Sequence, residues 1–88
     1  MSVVENPEDL IPLSILQPGR HAEVCTVSGA PELVRRLAEL GIRVGTFLEM
    51  ISPGKTCILR VAESKLCLRG DELLQVLVAP LALSRQLG

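Results

Sequence analysis

Eighty-eight residues make one domain, and a chain this short buries only about 60% of the surface its unfolded form exposes. Nine Lys and Arg stand against ten Asp and Glu, a balance without the basic excess that a general nucleic-acid binder uses to displace counterions. Phe47 is the one aromatic of the Phe, Trp and Tyr set, so stacking platforms for single strands or sugars are not available.

Residues 1–12 read as a polar lead-in carrying Glu5, Glu8 and Asp9, with Leu10, Ile11 and Leu13 placed to pin its end to a core. The main domain is expected over residues 13–80 and a weakly amphipathic tail over 81–88. Ser14-Ile15-Leu16 is too short to be a helix alone. Gln17-Pro18-Gly19-Arg20 predicts a type II turn, in which Pro18 fixes φ and Gly19 takes the positive φ that follows. His21 to Ser28 alternates as a strand, with Ala22 and Val24 inward. Val27 fits the inner face only if a bulge or the strand end changes the facing.

Pro31 and Glu32 suit the first turn of a helix, the first because its missing N–H has no partner there, the second because its carboxylate meets the positive end of the helix dipole. Leu33, Val34, Leu37 and Leu40 recur at helical spacing. Gly41 then supplies the left-handed C-cap, Ile42 is placed to fold back on the apolar stripe, and Gly45 opens the next strand. Leu48 and Met50 share the inner face of that strand. After the Ser52-Pro53-Gly54-Lys55 turn, Cys57, Leu59 and Val61 face inward on the next. Glu63-Ser64-Lys65 is expected as the hairpin connection to a strand with Leu66 and Leu68 inward. Asp71 is a candidate N-cap for a single turn through Leu73 and Leu74, and Gln75 to Val78 returns as a strand. About five short strands around one α-helix at about residues 31–40 predict a mainly β domain, closed or partly closed as a small barrel that removes its sheet edges.

Cys25, Cys67 and Cys57 are odd in number and form no C-x-x-C pair, which argues against a disulfide framework. The first twelve residues lack a signal-peptide pattern, and no apolar run approaches the roughly 20 residues of a bilayer span. The expectation is a reduced, cytoplasmic protein with no direct membrane insertion. Enzymatic chemistry finds no support: there is one histidine, no serine or cysteine has an obvious paired base, and no phosphate loop is present.

The order Leu13-x-x-Leu16-x-Pro18-Gly19, Arg36-Leu37, Leu40-Gly41, Gly45-Thr46 and Leu68-Arg69 resembles the ferrous iron transport protein A family, the FeoA-type SH3-like domain. The resemblance spans about Leu13 to Val78. It departs in a short loop after Pro53 and in a hairpin without glycine. It implies an SH3-like β-barrel with no catalytic activity and no required cofactor. It also implies a protein-interaction role in ferrous iron transport, through the GTP-binding cytoplasmic part of a membrane iron transporter. Arg36 and Arg69 match family positions. With Arg35 and Arg43 they are the candidate partner-binding set, since arginine pairs well with carboxylates. The competing reading makes Arg35 and Arg36 the solvated back of the helix, with Glu39 pairing Arg35 at i, i+4. Self-association through an exposed apolar patch is a further expectation.

A metal-responsive regulatory domain of the iron-dependent repressor type is the alternative. It requires His21, Cys25 and Cys67 to meet around Fe²⁺ or Zn²⁺. His21 and Cys25 alone lie about 13 Å apart on one strand, too far to share an ion within one chain.

Overall fold

The computed structural model describes residues 10–81, so the lead-in up to residue 9 and the tail from residue 82 lie outside the described residues. Six strands follow the alternation of the sequence: β1 (Ile11–Pro12), β2 (His21–Val27), β3 (Phe47–Ser52), β4 (Thr56–Val61), β5 (Ser64–Arg69) and β6 (Val76–Pro80). One helix, α1 (Pro31–Glu39), lies between β2 and β3. Single 3₁₀ turns at Leu13–Ile15 and Glu72–Gln75 precede β2 and β6. Every strand pairing is antiparallel. Ala22, Val24, Leu48, Met50, Cys57, Leu59, Leu68, Val76 and Val78 bury one face of the sheet against Leu13, Leu16, Leu37, Ile42 and Leu73. The register of β2 on β6 shifts between Val24 and Thr26. That irregularity lets the half-buried Val27 pack on the same core as Val24.

The expected small SH3-like β-barrel of about five strands does not form. The sheet has six strands in the order β1-β6-β2-β3-β4-β5 and is open, because β1 pairs only with β6 and β5 only with β4. The physical reason lies at the first edge. β1 is two residues long and one of them is Pro12, which has no N–H to offer a second neighbour. The Glu72–Gln75 turn follows β5 and packs beside β1 and the Leu13–Ile15 turn. Its Leu73 is fully buried, so apolar packing occupies the place where barrel hydrogen bonds were expected.

The helix forms where its local signals put it. Pro31 sits in the first turn with Glu32, and Leu37 is completely buried. The exit is a Schellman cap: Ile42 N–H donates to the Leu37 carbonyl at 2.8 Å and Gly41 N–H to that of Ala38 at 3.0 Å. Gly41 has φ of +102°, which a Cβ would oppose. Ile42 is fully buried alongside Leu37, the apolar contact that accompanies this cap. Leu40 departs from its expected place in the stripe, since as the C-cap residue it turns to the surface.

The hairpin between β4 and β5 is tighter than expected. Val61 pairs with Ser64, leaving Ala62 and Glu63 as the two-residue loop and making Ser64 and Lys65 part of the strand. Ala62 takes φ of +56° while Glu63 does not go positive, the pattern of a II′ turn whose first central position normally holds glycine.

Candidate functional site

The segment from Leu40 to Phe47 is short, rigidly held and largely outside the core. After the Schellman cap the chain turns again at Arg43–Thr46, where Thr46 N–H donates to the Arg43 carbonyl at 3.0 Å. The Thr46 hydroxyl donates to the Gly41 carbonyl at 3.0 Å and accepts from the Arg43 N–H at 3.3 Å. Two further bonds tie the turn to β2: Gly45 N–H to the Val24 carbonyl and Val24 N–H to that of Thr46, both at 2.8 Å. Gly45 reaches this geometry with φ of +93°. These bonds fix the backbone of the turn, and the side chains of Arg43, Val44 and Phe47 are exposed.

Val44 is 68% exposed and Phe47 59%, and Leu40 also reaches the surface. Three large apolar side chains within one short segment are therefore exposed with Arg43 among them, and Phe47 lines a depression on the outer face of the sheet with His21, Glu49, Arg60 and Ala62. The sequence reading did not single out Val44 or Leu40 as surface residues. Phe47 was legible, since it falls on the strand face opposite Leu48 and Met50. A second exposed apolar pair, Ile15 and Leu74, lies on the two 3₁₀ turns that pack together.

The four candidate arginines do not form one face. Arg35 is exposed on α1 and Arg43 on the turn after it. Arg36 is held: its Nη1 lies 2.8 Å from Glu72 Oε2, joining the helix to the second 3₁₀ turn. Arg69 ends β5 opposite Thr56, whereas Gly41 at the helix exit approaches Val61 at the other end of β4. About 17 Å of strand separates those ends. Arg69 lines a shallow depression of about 280 Å³ with Lys55 and Asp71. Arg20 N–H donates to the Gln17 carbonyl at 3.1 Å across Pro18 and Gly19, and Gly19 has φ of +82°.

His21 and Cys25 lie on β2 and Cys67 on β5, with β3 and β4 between them in the sheet. His21 instead faces Glu49 across β2 and β3 at 3.8 Å, and Glu49 reaches Arg60 on β4 at 3.5 Å. The three form a polar row across the outer face. Among the described residues no group of three or more His, Cys, Asp or Glu side chains is arranged to hold a metal ion. No helix among them is long and apolar enough to cross a membrane.

Residues 11–80 match the family model described as the FeoA domain. Among solved structures, the solution structure of the FeoA protein from Chlorobium tepidum is 32% identical, with a TM-score of 0.74 over 82% of this chain and 71% of that one. An FeoA-like protein from Clostridium acetobutylicum is 21% identical, with a TM-score of 0.76 over 89% of this chain and 94% of that one. T. acidophilum IdeR matches with a TM-score of 0.76 at 17% identity over 86% of this chain, which spans only 36% of that one. No curated protein matches the sequence.

Proposed function

The chain belongs to the FeoA domain family, and on that premise we propose that it is a cytoplasmic accessory protein of ferrous iron transport. In this reading it acts by binding, and its partner is the GTP-binding cytoplasmic part of a membrane ferrous iron transporter. The observation that carries the reading is the outward display of Leu40, Arg43, Val44 and Phe47 on a turn fixed by hydrogen bonds to α1 and β2. Exposed apolar side chains with a guanidinium in the same segment suit a partner surface with an apolar centre and a carboxylate beside it. The rigidity of the turn keeps the ordering cost of association low. Arg36 supports the surface by holding α1 to the Glu72–Gln75 turn, and Arg69 belongs to a different region.

The repressor-like reading has the fold of T. acidophilum IdeR in its favour, but at 17% identity that likeness speaks only to fold. The dispersal of His21, Cys25 and Cys67 favours the interaction module. The test is ferrous iron uptake by cells lacking the gene and complemented with the wild type or Arg43→Glu. Complementation by the wild type together with a loss of uptake in Arg43→Glu, at equal protein level and melting temperature, is the expected result. Equal uptake by both would remove the proposed surface from the account.

A further inference from the structure

β5 ends the sheet with half of its backbone unused. Its register on β4 begins with Val61 opposite Ser64 and continues with Leu59 opposite Leu66 and Cys57 opposite Leu68. In an antiparallel ladder the pair flanking a two-residue hairpin exchanges both N–H···O bonds, and so does every second pair after it. The peptide groups of Lys65, Cys67 and Arg69 therefore point away from β4. Among the described residues no other backbone group pairs with them. Their side chains are exposed, while Leu66 is only half-buried on the inner face.

The edge is selective in charge. Lys65 and Arg69 are both positive, two positions either side of Cys67, and Lys55 lies beside Arg69 in the depression that also holds Asp71. A second copy of β5 paired antiparallel about Cys67 would set Lys65 against Arg69 twice. Like charges directly opposite are unfavourable, and a lysine on an edge strand guards against self-pairing. An extended segment with carboxylates at i and i+4 turns the same charges into two cross-strand ion pairs.

We propose that the β5 edge is a docking site for an extended acidic segment of a partner protein, which adds to the sheet as a further strand. Carboxylates face Lys65 and Arg69, a small residue faces Cys67, and two apolar residues continue the inner face beside Leu66 and Leu68. The site is distinct from the Leu40–Phe47 turn and does not depend on its function.

The probe is the capped peptide Ser-Glu-Val-Thr-Val-Glu-Ser at millimolar concentration, with Ser-Lys-Val-Thr-Val-Lys-Ser as control, read by amide NMR and hydrogen exchange on the full chain. The acidic peptide is expected to slow exchange at Lys65, Cys67 and Arg69 in step with occupancy. Ser64, Leu66 and Leu68, already in the ladder, should stay as they were. The exposed double variant Lys65→Glu/Arg69→Glu should weaken the acidic peptide about tenfold and reverse the preference toward the lysine peptide. The proposal is overturned by no response at β5, by a response centred elsewhere, by an unchanged preference in the double variant, or by amides at Lys65, Cys67 and Arg69 that are protected without peptide.

Discussion

At Gly70 the fold leaves no room for a side chain. A Cβ there would meet the Gly54 carbonyl oxygen at 2.6 Å, and the Gly70 N–H donates to the Lys55 carbonyl at 2.8 Å. The obstruction is backbone, so it cannot swing aside. Gly70→Ala is expected to lower stability by about 1–3 kcal/mol, measured by urea unfolding. Ala62 presents the opposite case. It holds φ of +56° at a position that prefers glycine, and Ala62→Gly should raise stability by about 0.5–1 kcal/mol in the same assay. Arg36 makes one ion pair with Glu72, and the arginine is more than half exposed. Arg36→Ala should therefore cost only about 0.2–1 kcal/mol, and that loss should shrink in high salt.

At the scale of elements, α1 is fixed to the sheet through Leu37 and its cap. Leu37→Ala is expected to cost about 2–5 kcal/mol, seen as a lowered urea midpoint with an unchanged slope. This helix was legible in the sequence because its determinants are local: Pro31 and Glu32 at the start, the apolar spacing between, and Gly41 with Ile42 at the end. The inward residues of β2, β3 and β4 were legible for the same reason, since alternation is a short-range signal. Pairings between distant segments were not. Nothing near Arg36 announces Glu72, which lies 36 residues away. Nothing near Ala62 announces a turn, because alanine is not a turn residue, and the expected hairpin slipped to Glu63–Lys65. Whether the two edge strands of the sheet, β1 and β5, meet depends on the whole path of the chain. A two-residue β1 carrying Pro12, and a buried Leu73 in the following turn, left the sheet open where a barrel was expected.

At the scale of the molecule, the open sheet offers two potential association surfaces that meet at the β4–β5 hairpin. The turn after α1 lies near the Val61 end of β4, where β5 begins, and β5 runs from that hairpin to the Lys55 end as a free edge. A partner protein is thereby offered exposed apolar side chains with Arg43 and, beyond the hairpin, a basic strand edge. His21 and Cys25 are kept from Cys67 by two intervening strands. Anaerobic Fe²⁺ or Zn²⁺ at tenfold excess should therefore leave the melting temperature within about 1 °C, since a ligand stabilises only what it binds in the native state. The central claim is that the Leu40–Phe47 turn is the surface that engages the transporter. It is tested most directly by calorimetric titration of the isolated GTP-binding cytoplasmic domain with the wild type and with two charge-insertion variants. One variant is Val44→Asp/Phe47→Asp and the other is Ile15→Asp/Leu74→Asp. The account predicts micromolar binding by the wild type, a loss of about 100-fold or more in the first variant and little change in the second. Undiminished binding by Val44→Asp/Phe47→Asp would contradict it.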